Sequence, residues 1–113
     1  MKYMILMKAS KDSEAGVMPS NEQLAQMGQF NEELMKAGIL VGGEGLAPSA
    51  MGARVKFVPG GQPVVTDGPF SETKELLAGF WIFEVKSREE AIDWVKRIPN
   101  ITNEEYEVEI RKI

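Results

Sequence analysis

The sequence predicts an α+β fold of ferredoxin-like βαββαβ order, an antiparallel sheet with one extra β-hairpin inserted. Three observations lead there. Capping signatures at Ser20 and Ser87 each open a segment whose apolar residues recur at helical spacing. Short runs with alternating or two-sided hydrophobicity surround these segments and read as strands. Pro59-Gly60-Gly61-Gln62 separates two such runs and signals a hairpin. The 113 residues fit one domain, residues 1–113, large enough to bury a core without disulfides.

Residues 2–9 form the first strand. Tyr3, Ile5 and Met7 point one way and Met4 and Leu6 the other, so both faces call for cover. Residues 10–19, with Gly16 and Pro19, read as a polar loop. Ser20-Asn21-Glu22-Gln23 fits a capping box, worth about 1 kcal/mol through the Ser20 cap. Leu24, Met27, Phe30 and Leu34 then supply the buried stripe of a helix that Gly38 ends as C-terminal cap. Ile39-Leu40-Val41 begins a second strand, in which Gly42, Gly43 and Gly45 predict a bulge or a close backbone approach.

Residues 53–58 and 63–66 are the hairpin strands. Leu76 to Val85 is the most apolar strand, with Phe80, Ile82 and Glu84 on one face and Trp81, Phe83 and Val85 on the other. Ser87-Arg88-Glu89-Glu90 is a second capping box, opening a helix with the stripe Ala91, Ile92, Val95 and Ile98 that Pro99 stops. Tyr106, Val108 and Ile110 alternate with Glu105, Glu107, Glu109 and Arg111 in a last strand, near an edge or lining a polar cleft. Two helices cover one face of such a sheet, and the other would expose large apolar side chains, a patch monomers rarely tolerate. The sequence therefore predicts a homodimer with two sheets packed face to face.

Composition removes several function classes. With 17 acidic against 13 basic residues, a net charge of −4 and no basic cluster, neither nucleic acid nor an anionic membrane is expected as a partner. The absence of cysteine excludes disulfides and thiolate chemistry; the absence of histidine excludes the commonest general base and metal ligand. Any metal would need oxygen ligands only, and neither metal nor cofactor is expected. No apolar run approaches the roughly 20 residues of a membrane span. Met1 to Lys8, a short apolar run between lysines without a small-residue cleavage site, reads as a strand, so a cytoplasmic location is expected.

The candidate site centres on Asp67-Gly68-Pro69-Phe70, followed by the charged Ser71-Glu72-Thr73-Lys74-Glu75. Asp67 is either a cleft carboxylate acting as general base or a turn residue accepting the N–H of Phe70 or Ser71, and the two readings shift its pKa in opposite directions. Gly68 is expected to supply an unusual dihedral and Pro69 to fix the next. Phe70 forms a pocket wall, a dimer contact or plain core. Lys74 and Arg54 are candidates for holding an anionic group, against solvated-turn and edge-strand roles. Trp81 offers a ring for a planar ligand with its indole N–H as polar handle, or packs in the core or a dimer contact. Met4, Met7, Met27 and Met35 line an adaptable pocket or fill the core. Gly42-Gly43-Glu44-Gly45 lacks the features of a phosphate loop, and Glu44 stays a possible cleft carboxylate.

These residues resemble the YCII-related family and, more closely, its DGPF-domain branch. The match runs through Lys2-Tyr3-Met4-Ile5-Leu6, Gly38-Ile39-Leu40, Gly45-Leu46-Ala47-Pro48, the run from Asp67 to Glu75, Gly79-Phe80-Trp81-Ile82-Phe83, Ala91 and Trp94, nearly the whole chain. The resemblance implies a dimeric α+β barrel, with clefts between sheet and helices. It also implies kinship with cofactor-free monooxygenases and isomerases. YCII-like relatives are suspected of using a His–Asp dyad, which cannot carry over to a chain without histidine. Some DGPF members are associated with sigma-factor-like regulators.

Together these readings predict a cytoplasmic small-molecule-binding or accessory, regulatory homodimer, with its ligand held near Gly68, Pro69, Phe70, Lys74, Trp81 and Arg54. The alternative is a cofactor-free enzyme, isomerase- or monooxygenase-like, in which Asp67 moves a proton.

Overall fold

The computed structural model describes residues 1–100 and 104–113. Its elements in chain order are β1 (Lys2–Lys8), α1 (Lys11–Glu14), α2 (Asn21–Lys36), β2 (Leu40–Gly45), β3 (Ala53–Lys56), β4 (Val64–Asp67), β5 (Leu77–Glu84), α3 (Arg88–Val95) and β6 (Val108–Lys112). Single 3₁₀ turns stand at Ser49–Met51 and Thr73–Glu75. Four strands form an antiparallel sheet in the order β2-β5-β1-β6, and β3 and β4 pair separately. With the hairpin set aside, this is the α+β ferredoxin-like arrangement that the sequence predicts.

The α2 helix shows how local sequence sets the frame. Ser20 Oγ accepts the Gln23 N–H at 3.1 Å and Gln23 Oε1 accepts the Ser20 N–H at 2.8 Å. At the other end Gly38 has φ +72°, so the Ile39 N–H reaches Leu34 O at 2.9 Å and the Gly38 N–H reaches Met35 O at 3.1 Å. Those bonds satisfy carbonyls the helix leaves over and turn the chain into β2. Phe30 and Leu34 from α2 and Ala91 from α3 pack on Tyr3, Ile5, Trp81 and Phe83 of the sheet. Met4, Leu6, Phe80 and Ile82 alternate with those strand residues, project from the opposite face and stay partly exposed.

Several expectations need correction. The polar loop 10–19 contains α1, capped by Ser10, whose hydroxyl accepts the Ser13 N–H. Leu24 is 54% exposed. At about 100° per residue it lies roughly 80° from Leu34 and 120° from Phe30, off the face that meets the sheet. At Ser87 only half of the capping box forms: its hydroxyl accepts the Glu90 N–H at 3.1 Å, and Glu90 gives no side-chain bond back. Helix α3 ends at Val95, and Ile98 is buried in the turn that follows. The last strand starts at Val108, leaving Tyr106 outside it; β6 is indeed an edge. The predicted irregularity in β2 is a bulge at Val41, between the pairs Leu40–Phe83 and Gly42–Ile82. Among the described residues no helix is long and apolar enough to cross a membrane.

Candidate functional site

Three segments far apart in sequence meet beside the hairpin. Glu14, the last residue of α1, accepts both the N–H of Ser49 (3.0 Å to Oε1) and its hydroxyl proton (to Oε2). The Ser49 oxygen in turn accepts the Phe70 N–H at 3.0 Å. Ser49 thus clamps the Asp67-Gly68-Pro69-Phe70 segment to the first helix.

Gly68 packs against the same turn. Its N–H donates to Gly52 O at 2.9 Å, and a Cβ placed on it would lie 1.7 Å from Ser49 O. The expectation of an unusual Gly68 dihedral is therefore corrected. Its φ is not positive; a lack of space, not of conformational freedom, demands glycine there. The Gly68–Pro69 peptide is cis. The clamp also takes the Phe70 N–H, which the turn reading of Asp67 offered to the aspartate.

Against this junction lies a cavity of about 440 Å³. Its apolar wall includes Leu46, Met51 and Leu77, and its charged groups are Glu14, Glu75 and Arg54. The Arg54 guanidinium carbon sits 3.8 Å from the centroid of the Phe70 ring. Among the described residues Arg54 forms no salt bridge. A guanidinium held over an aromatic face by cation–π attraction can still donate N–H groups to a carboxylate or phosphate oxygen.

A second cavity of about 290 Å³ lies between α2 and the β2–β5 edge of the sheet. Gly43 and Gly79 leave its floor bare backbone: a Cβ on Gly43 would come within 2.8 Å of Phe80 O, and one on Gly79 within 2.9 Å of Glu44 O. Met7, Met27 and Trp81 wall it. Trp81 is held from two sides, its Nε1–H donating to Asn31 Oδ1 at 3.0 Å and Phe30 packing edge-on at 5.6 Å between centroids.

The structure thus brings two predicted site residues, Arg54 and Phe70, to the first cavity and a third, Trp81, to the second. Gly68 and Pro69 shape the loop behind Phe70. Asp67, at the exposed end of β4 opposite Ala53, and Lys74, on the exposed 3₁₀ turn, line neither cavity. Of the methionines, Met7 and Met27 reach the second cavity, while Met35 is exposed and Met4 lies on the opposite sheet face. Glu44 lines the second cavity. Glu14 and Ser49 escaped sequence reasoning, because each looks like an ordinary loop residue until the fold joins them.

One relative, an uncharacterized protein of Rhizobium meliloti (strain 1021), is 34% identical over 68 residues, which cover 60% of this chain and 54% of the relative. The matched region thus spans about half the relative's length. The YCII-related domain matches residues 1–113, end to end, and the chain accordingly belongs to the YCII-related family.

Proposed function

We propose that the protein is a cytoplasmic homodimer of the DGPF-type branch that binds a small, partly apolar organic anion in a binding or accessory role. The observation that carries this reading is Arg54, its guanidinium over the Phe70 ring and without a salt bridge among the described residues, in the lining of a cavity of about 440 Å³. That volume lies within the range of sites for small molecules, and a few polar groups in an apolar wall are what such sites use for orientation. The partly exposed face of Met4, Leu6, Phe80 and Ile82 supports pairing of two sheets. Binding is favoured over proton transfer at Asp67 because that carboxylate lines neither cavity.

Native mass spectrometry of gently purified protein, with calorimetry against a panel of small aryl and branched-chain carboxylates, tests the proposal. A bound species or titratable anion that disappears in Arg54→Gln supports it. Binding unchanged in that variant, or no binding to the wild type at millimolar ligand, sinks it.

A further inference from the structure

We propose that the second cavity, between α2 and the β2–β5 edge, is a separate site for a small, flat, neutral ligand: one aromatic ring bearing a hydrogen-bond acceptor such as a ketone or amide carbonyl. It shares no lining residue with the Arg54 cavity, so the inference depends neither on that site nor on the homodimer. Strand register explains why the space exists. Gly43 pairs with Trp81, Gly45 with Gly79, and Gly79 in turn with Met7, so these positions share the sheet face that α2 covers. Three of them are glycine, which leaves bare backbone beneath Met27 and Asn31 of α2. Crowding accounts for Gly43 and Gly79; a Cβ on Gly43 would also lie 2.8 Å from Trp81 Cδ1. Gly45 is different. A Cβ built there meets nothing within 4 Å and its φ is not positive, so neither crowding nor torsion requires glycine. What glycine leaves at Gly45 is room.

The walls name the ligand. Met7 and Met27 are flexible thioethers, which adapt to a ring and contact it favourably through sulfur. A cavity of about 150 Å³ already admits benzene, so one of about 290 Å³ takes a single ring with a short substituent. The indole N–H of Trp81, the polar handle expected from the sequence, is spent on Asn31 Oδ1 at 3.0 Å. That bond also fixes which way the Asn31 amide points, because only its oxygen can accept the indole proton. Among the described residues Asn31 Nδ2 gives no hydrogen bond, so the handle passes to its two N–H groups, which require an acceptor on the ligand. Glu44 is the one charged residue of the lining. It pairs with Phe80, so its carboxylate projects from the opposite sheet face. No charged side chain therefore reaches into the cavity to offset the desolvation of an ion, and a neutral ligand is favoured.

Acetophenone serves as the probe, and ethylbenzene as a similar shape without the acceptor. Nitrogen–proton correlation NMR follows the Trp81 indole N–H and the Asn31 side-chain amide, each identified by its loss in Trp81→Phe or Asn31→Asp. Saturable shifts of both signals at millimolar acetophenone are expected, with ethylbenzene binding at least about fivefold more weakly. Asn31→Asp keeps an oxygen for the Trp81 N–H and removes both amide N–H groups, so it should weaken acetophenone at least about fivefold. Gly45→Val puts a strand-compatible side chain into the open space and should abolish the shift of the Trp81 signal. No saturable shift in the wild type, or acetophenone binding unchanged in Gly45→Val, overturns the site. Equal binding of the two probes, or no loss in Asn31→Asp, overturns the chemistry assigned to it. A loss that Arg54→Gln reproduces places the probe in the first cavity and overturns the proposal too. If Asn31→Asp does not fold, Gly45→Val and the comparison of the two probes decide.

Discussion

Replacing Ser49 by alanine tests whether the clamp beside the hairpin holds the site loop. The side chain serves two bonds: it accepts the Phe70 N–H at 3.0 Å and donates to Glu14 Oε2. The Ser49 N–H to Glu14 Oε1 bond, at 3.0 Å, survives the change. A neutral bond contributes about 1 kcal/mol and one to a charged group about 1.5–3 kcal/mol. Both groups are partly exposed, so water recovers some of this, and the expected loss is about 1.5–3 kcal/mol. For a chain of this length that corresponds to a fall in Tm of roughly 5–15 °C. Urea unfolding with an unchanged m-value measures it directly. The cycle with Glu14→Ala should return a coupling of about 1 kcal/mol or more, since the two residues touch. A Ser49→Ala protein within about 0.5 kcal/mol of wild type would refute the reasoning, for exposed substitutions of no structural consequence fall in that range.

Gly68→Ala should cost about 3 kcal/mol or more, or leave the protein insoluble, because the new methyl would meet the backbone oxygen of Ser49 rather than a movable side chain; a variant that melts with the wild type defeats this. Trp81→Phe should destabilise by about 1 kcal/mol through the lost bond to Asn31 Oδ1, whereas Phe83→Ala, at a fully buried core position, should cost about 3–5 kcal/mol in the same unfolding assay. Hydrogen bonds from Arg111, and then from Lys8, hold the Glu109 carboxyl below the usual glutamate range. A carboxylate depressed in the folded state stabilises above its unfolded pKa and loses that contribution as pH falls through the folded one. Glu109→Gln should therefore narrow the stability difference between neutral and acid pH, and a carbon-detected titration with an ordinary Glu109 midpoint would contradict the assignment.

Much of the fold was legible because local chemistry and tertiary packing agree. Ser20, Gln23 and Gly38 carry their own boundary signals, and the apolar runs at 2–9 and 76–85 mark themselves as strands. The failures have physical causes. Ser10 caps α1 with Ser13 in the place where the usual signature has Glu or Gln. Leu24 satisfies the spacing of a stripe but not its angle. Within the site, turn chemistry pointed to the Asp67 loop, and the fold does bring Arg54 and Phe70 together. The clamp by Glu14 and Ser49 was invisible, since it joins residues 35 positions apart, and no periodicity records such a meeting. Gly68 was recognised as special for the wrong reason, because a sequence shows that glycine is present but not whether torsion or crowding requires it.

The place where the hairpin region leaves the sheet has a consequence for how such a protein changes over time. Gly45 at the end of β2 is paired with Gly79 of β5, and the Leu46 N–H still reaches Ala78 O at 2.8 Å. The chain therefore departs and returns at one doorway, and both cavity-bordering turns and the hairpin are strung between its posts. A lineage can lengthen, trim or exchange that excursion while the four-stranded platform keeps its register. New loop sequences can then be explored in the excursion at little risk to the scaffold that carries it.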